Sequence, residues 1–322
     1  MTTSHTGTPP TTPDLIYGFS VVVPAYNEGL AVGDVVRRII ETMTSTGQPF
    51  EVIVVDDGSS DETAIGAAGG GAMVISHPQN AGYGAALKTG ITRARFDHIV
   101  ITDADGTYPI DRIPDLMAHA DRFDMVVGAR TGANYRESWF KEPARIILGA
   151  MVQWVTGTAI PDVNSGLRVF RTTLARQYFH VISQGYSFTT TITLAALSNG
   201  YFVKYLPIAY HRRVGSSKVR LARDIPRTTQ IVLQACVYYN PIKLFLTFAV
   251  GTAILAVIAW ALYLLTGSLP VGITAGLLTV SVIHFIALGM LADLIRVRNV
   301  PRAPTLTSHA ASVSTGHPVS PE

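Results

Sequence analysis

The sequence predicts an α/β domain built on a mainly parallel sheet, followed by an amphipathic juxtamembrane segment and a two-helix transmembrane hairpin. Three observations carry this. Near-continuous apolar runs at 19–24, 50–55 and 99–102 alternate with helix-like stretches, as in a sheet covered on both faces and wound right-handedly. The runs end beside a Pro, an Asp pair or a Gly, so polar groups collect at the carboxyl ends of the strands, where such sheets take their ligands. From Leu244 to Leu265 and from Val271 to Ala292 the chain carries no charge over about 22 residues, enough to cross roughly 30 Å of hydrocarbon.

Residues 1–16 are rich in Thr, Pro and Ser with no apolar core, and read as a disordered tail, not a signal peptide. The first strand, from Phe19, is stopped by Pro24, and a helix follows from about Leu30 to Met43. The second strand, from Phe50, ends in Asp56, Asp57 and Gly58 ahead of a helix start. Gly69 to Gly71 form a loop before a third strand, Ala72 to Ser76. His77 to Gly90 begins as a glycine-containing loop and turns helical near Ala85; its amides could cradle an anion, or the segment could simply pack closely. Its spacing is neither a Walker loop nor a dinucleotide fingerprint.

Ile99 to Thr102 form the strand around which the rest is arranged, because it ends in Asp103 and Asp105. Residues i and i+2 of an extended chain face the same way, so the two carboxylates could grip one hard divalent cation shared with substrate phosphates. Two Asp capping a turn is the plainer alternative. Asp124 to Arg130 is a strand with a cation at its tip, and Arg145 lies on a helix from Pro143 to Thr156. Asp162 to Phe170 sets an acid and Arg168 around a Gly turn. A late strand, Tyr201 to Tyr210, feeds the basic loop His211 to Lys218. Residues 219–242 mix Arg with Leu, Ile and Val around Pro226, a pattern suited to a membrane surface. Residues 297–322 read as a second disordered tail, and no internal repeat is present.

With 48% hydrophobic and 15% charged residues over 322 positions, the chain is too apolar for an ordinary soluble enzyme. Its net charge of +3 is modest, and the basic residues crowd beside the spans, which argues against nucleic acid as a partner. Arg and Lys flank the hairpin on both sides while its short link, Thr266 to Pro270, is uncharged, so both termini are expected in the cytoplasm and the hairpin in the plasma membrane. The lone Cys236 fits a reducing compartment.

With these residues in view, the chain resembles the inverting family 2 glycosyltransferases of GT-A fold, specifically the polyprenol-phosphate glycosyltransferases typified by dolichol-phosphate mannose synthase. Val23-Pro-Ala-Tyr-Asn-Glu28 looks like the family's opening strand, Asp56-Asp57-Gly58-Ser59 like its nucleotide-binding acids, and Asp103-Ala-Asp105 like its metal motif. Arg212-Arg-Val-Gly-Ser-Ser-Lys218 matches the R-x-x-G-x-S-K loop position by position. Two departures stand out. Glu62 replaces a Gly near the start of the second helix, and Thr107 stands where the mannose synthases can carry a metal-binding Gln.

The resemblance implies a GT-A catalytic domain over 17–218 and spans at about 244–265 and 271–295. It implies a nucleotide-sugar donor, with UDP favoured and GDP-mannose open, and a polyprenyl phosphate acceptor met at a lipid bilayer. Mg²⁺ or Mn²⁺ would sit on Asp103 and Asp105. Pro24, Tyr26, Glu28, Asp57, Lys88 and Asp103 are implied at the donor, and Arg130, Arg145, Arg168 and Ser217 at the acceptor phosphate. Asp105, Asp162, Arg212 and Lys218 are implied in catalysis, with Asp162 either orienting or deprotonating the acceptor or simply making a turn. The transmembrane helices are where copies of the chain would associate. His284, inside the second span, either has a function or bonds the neighbouring helix. Two rivals remain at this stage: a processive polysaccharide synthase, whose longer bundle and Q-x-x-R-W motif this sequence lacks, and a non-catalytic membrane scaffold of the same fold.

Overall fold

The structure, a computed structural model, describes residues 15–131, 149, 150, 153, 154, 156–211, 230, 234 and 237–299. These divide into two units, one built on a sheet and one helical.

In the sheet unit, β1 (Ile16–Ala25), β2 (Phe50–Asp56), β3 (Met73–Ser76), β4 (Phe96–Ile101), β5 (Met125–Thr131), β6 (Arg168–Arg171) and β7 (Val203–Ala209) form one sheet in the order β3-β2-β1-β4-β6-β5-β7. Val21 to Val23, Val52 to Val55 and Ile99 to Ile101 are buried in consecutive positions, which is why these strands read as unbroken apolar runs. Pairing is parallel except at β6, which runs antiparallel to both β4 and β5. The register sets Ala25 opposite Asp56 and Val22 opposite Ile101. The carboxyl ends of β1, β2 and β4 therefore share one edge.

Helix α1 (Val32–Ser45) buries Val32, Val35, Val36, Ile39 and Met43, the three- and four-residue spacing of one helix face. After α2 (Thr63–Gly69), helix α3 (Tyr83–Arg93) crosses the sheet so closely that a Cβ on Gly90 would stand 2.4 Å from Val22 Cγ1. Helices α4 (Ile113–Met117), α5 (Thr172–Gln177) and α6 (Phe188–Ser198) follow along the chain.

The helical unit contains α7 (Pro241–Thr266) and α8 (Leu269–Asn299), both long and apolar enough to cross a membrane. Asn240 caps α7 through Lys243 N, and Gly267, at φ 65°, ends it. The two helices meet at small residues: a Cβ on Gly289 would lie 2.9 Å from Phe245 Cβ, and Trp260 Nε1 donates to Thr279 Oγ1 at 3.1 Å.

Several expectations shift. The first strand starts at Ile16, inside the expected tail, and the third and late strands are shorter than expected. Residues 168–171, expected around a turn, form the reversed β6; four residues buried on three of their positions show no alternation from which strand or direction could be read. His284 Nδ1 bonds Val280 O one turn back on its own helix, not the neighbouring one. Most of the expected helix from Pro143 to Thr156 and most of the amphipathic segment 219–242 lie outside the described residues; those of the former that are described, 149, 150, 153, 154 and 156, are helical.

Candidate active site

Asp103 and Asp105 follow β4 at the shared edge, on either side of buried Ala104. Asp105 is buried, and its Oδ1 accepts from Thr107 N at 3.1 Å and Thr107 Oγ1 at 2.6 Å. It thus caps a turn, and Thr107 orients it; Thr107 is itself fully buried. Asp103 is half-buried, and Tyr83 Oη donates to its Oδ1 at 2.9 Å. Gly166 lies against it, since a Cβ there would stand 2.9 Å from Oδ1, and Gly166 N donates to Tyr108 Oη at 2.6 Å. Tyr210 hydrogen-bonds Thr107 and meets Tyr108 edge-on at 5.4 Å. Burial raises the phenols of Tyr83, Tyr108 and Tyr210, with the charge of Asp103 adding to each, so all three remain neutral.

Arg130, near the end of β5, is bound by Asp162 on two fronts. Its Nε and Nη2 donate to Asp162 Oδ2 and Oδ1 at 2.7 and 3.0 Å, and its backbone N donates to Oδ2 at 3.1 Å. The Arg130 guanidinium also lies 5.4 Å from the Tyr210 ring centroid. Burial pushes the Asp162 carboxyl up, but the hydrogen bonds and charge of Arg130 and the Asn164 amide outweigh it and leave it below the ordinary range. Asp162 is therefore an ionised orienting group at neutral pH.

Where β1 and β2 end, Pro24 is buried and Tyr26 is partly exposed. Asn27, at φ 51°, ties the two strand tips: its N donates to Ser59 Oγ at 2.9 Å, and its Oδ1 accepts from Ser60 N at 2.8 Å. Glu28 N donates to Thr63 Oγ1 at 2.8 Å. Buried Asp57 anchors the following loop, accepting from His77 Nδ1 and Ala81 N on Oδ1 at 2.7 and 2.9 Å and from Gly82 N on Oδ2 at 2.8 Å. The 77–90 loop thus binds a carboxylate of its own chain through its amides. Gly58, at φ 73°, lets this loop approach, since a Cβ there would stand 2.6 Å from the Gln79 carbonyl carbon.

Two expected site residues are committed elsewhere. Lys88, expected at the donor, gives its ammonium to the carbonyls of Phe179 and Ile182, and burial lowers its pKa. Arg168, expected at the acceptor phosphate, is fully buried and bonded to internal oxygens. Arg145, Arg212, Ser217 and Lys218 lie outside the described residues.

Two carboxylates with neither His nor Cys suit a hard cation such as Mg²⁺ or Mn²⁺. Among the described residues no cluster of three His, Cys, Asp or Glu side chains could hold a metal, so among them Asp103 and Asp105 are the pair that would hold the cation. Tyr83, Tyr108, Tyr210 and His77 escaped the sequence reading. Nothing in a single Tyr or His codon position distinguishes a carboxylate's hydrogen-bond partner from a core aromatic.

Residues 20–179 match the model of Glycosyl transferase family 2. The chain is 30% identical over 261 residues to an undecaprenyl-phosphate 4-deoxy-4-formamido-L-arabinose transferase of Enterobacter sp. (strain 638), covering 78% of this chain and 76% of that one. The enzyme of the same description from Edwardsiella ictaluri (strain 93-146) is 29% identical over 280 residues, 84% of each chain. Among solved structures, glucosyl-3-phosphoglycerate synthase from Mycobacterium tuberculosis, in complex with Mg²⁺ and uridine diphosphate, superposes with a TM-score of 0.57 at 21% identity, over 68% of this chain and 79% of that one. That likeness establishes a shared GT-A-like fold. The family model and the 30%-identical relative place the chain: it belongs to glycosyl transferase family 2.

Proposed function

We propose that the chain transfers a sugar from a nucleotide diphosphate donor, UDP favoured, to undecaprenyl phosphate or a similar polyprenyl phosphate at the cytoplasmic membrane face. An acceptor phosphate oxygen bonds the anomeric carbon, that carbon's bond to the donor diphosphate breaks, and the nucleoside diphosphate leaves, with inversion. The observation that carries the reading is the placement of both Asp103 and Asp105 just beyond β4, at the edge shared by β1, β2 and β4. The sequence relatives act on undecaprenyl phosphate by description, and the fold neighbour holds Mg²⁺ and uridine diphosphate, which supports the same substrate classes here.

Asp103 and Asp105 would hold Mg²⁺ or Mn²⁺, which supplies Lewis-acid stabilisation of the leaving diphosphate. Pro24, Tyr26, Glu28 and Asp57 line the nucleotide side, and Arg212 and Lys218 add positive charge near the diphosphate. Arg130, Arg145 and Ser217 serve the acceptor phosphate, for which Arg is suited by its planar fork. Asp162 holds Arg130 in one orientation instead of taking a proton. No strong base is required, because a phosphate monoester with a second pKa of about 6 is already largely ionised at neutral pH. The helices α7 and α8 span the bilayer with both termini cytoplasmic and bring the acceptor to the domain, and copies of the chain associate through them.

The test is the full-length chain in liposomes containing undecaprenyl phosphate, supplied with Mg²⁺ or Mn²⁺ and a panel of UDP- and GDP-sugars. A lipid-linked sugar with inverted anomeric configuration, lost with EDTA, is the expected product. A folded, nucleotide-binding chain that makes no lipid-linked sugar from any donor refutes the reading.

A further inference from the structure

A buried cation without a carboxylate partner is costly to fold, so it persists where it does something an apolar side chain cannot. Arg168, the first residue of β6, is such a group. It is 0% exposed and forms no ion pair among the described residues, meeting the charge of Asp162 only at longer range. Its Nε donates to Ser165 O at 2.7 Å, its Nη2 to Val163 O at 2.7 Å, and its Nη1 to Thr193 Oγ1 at 2.6 Å, with Met125 Sδ 3.8 Å from Nη1. Two of these acceptors belong to the turn between Asp162 and Gly166.

That turn touches the candidate site at both ends. Asp162 grips Arg130, and Gly166 lies against Asp103 while donating to Tyr108. Between them, Asn164 N donates to Asp162 Oδ1 at 3.0 Å, and Asn164 Oδ1 accepts from Thr190 Oγ1 at 2.6 Å. A rigid guanidinium fork can satisfy two carbonyls at fixed separation; a flexible ammonium cannot hold them in the same way. We infer that Arg168 is a positioning residue whose buried fork fixes the turn from Val163 to Gly166, setting Asp162 and the surface beneath Asp103 together without touching either substrate. Only the kinetic part of its test rests on the sugar-transfer reading.

Arg168→Lys keeps the charge and loses the fork, and Arg168→Gln removes the charge that could block folding when left unsolvated. Both are made in the full-length chain. Amide exchange is followed at Asn164 and Gly166 against the amides of β4, Mn²⁺ affinity is measured by electron paramagnetic resonance without substrate, and kcat and KM are taken separately. The expected result in both variants is exchange at Asn164 and Gly166 faster by about tenfold, the net worth of one hydrogen bond, with β4 amides unchanged. Mn²⁺ affinity should fall, and kcat should fall with donor KM held. Combining Arg168→Gln with Asp162→Asn should lower kcat no further than the worse single change, as for residues acting through one another. Uniformly faster exchange across the sheet, or unchanged exchange in the turn, overturns the inference. These exchange and Mn²⁺ measurements need no turnover, so a chain that transfers no sugar sinks the proposed function while they still decide Arg168.

Discussion

Removing Arg130 should cost more stability than removing Asp162, although the two share the same hydrogen bonds. The Asp162 side chain is 1% exposed and the Arg130 side chain 14%. In Asp162→Ala the freed guanidinium keeps a path to water and the Tyr210 ring beside it. In Arg130→Ala a carboxylate is left buried with only backbone amides, and breaking one side of a buried pair costs about 3 to 5 kcal/mol. At roughly 2 to 4 °C per kcal/mol for a domain of this size, the Arg130→Ala melting temperature should fall by about 6 to 20 °C at pH 7.5, and that of Asp162→Ala by less. The pH dependence supplies a second arm. In the native chain the folded pKa of Asp162 lies below its unfolded value, so its contribution is complete above about pH 4 and is lost as pH falls through the lower folded value. Without the Arg130 side chain, burial still raises the carboxyl and is opposed only by the amides of residue 130 and Asn164 and the more distant charge of Arg168, so its pKa rises from the native value and Arg130→Ala should recover part of its loss as pH drops from 7.5 toward 5. Thermal melting of the detergent-solubilised full chain across that range is the assay. A loss of less than 1 kcal/mol in Arg130→Ala, a larger loss in Asp162→Ala, or no acid recovery would refute the reasoning.

Asp103→Asn and Asp105→Asn should each abolish Mn²⁺ binding and turnover while the melting temperature stays within a few degrees; metal binding by either variant at native affinity would remove the acid pair as the cation site. Tyr83→Phe deletes the donor to Asp103 Oδ1 and should weaken Mn²⁺ by about tenfold or more, the worth of a hydrogen bond to a charged group, which spin-resonance titration reads directly. Gly58→Ala forces a Cβ into the Gln79 backbone at a left-handed position, so it should destabilise by about 1 to 3 kcal/mol and weaken nucleotide binding through the loop held by Asp57, as calorimetric titration with uridine diphosphate would detect.

The parallel part of the sheet was legible because strands buried on both faces leave an unbroken apolar signature, and the acids at 57, 103 and 105 were legible because they end those runs. Pairings were not. Arg130 and Asp162 stand 32 positions apart, and nothing local in either segment announces the other. Arg168, which the resemblance put at the acceptor phosphate, is buried because β6 enters the sheet between β4 and β5, a topological fact that four residues do not encode. Helix α6 passed unnoticed because its buried positions include Thr189, Thr190, Thr191 and Thr193, which mimic polar loop composition, while the hydroxyls of Thr190, Thr191 and Thr193 bond carbonyls or a side chain inside the unit. His284 was left between a function and a partner across the hairpin because polar groups in lipid seek one, but a carbonyl one turn back on its own helix satisfies its Nδ1.

The reversal of β6 has a consequence for inheritance. A parallel crossover passes over a face of the sheet and can absorb extra residues there. Here the chain enters β6 from the very edge where Arg130 and Asp103 stand, so the stretch from Asp162 to Arg168 works as a ruler. One residue more or fewer would either separate Asp162 from Arg130 or slip Arg168 out of step with Ile101, turning each β6 side chain to the opposite face. Descendants of this chain should therefore lengthen and shorten their loops elsewhere and keep this count, whatever sugar they come to carry.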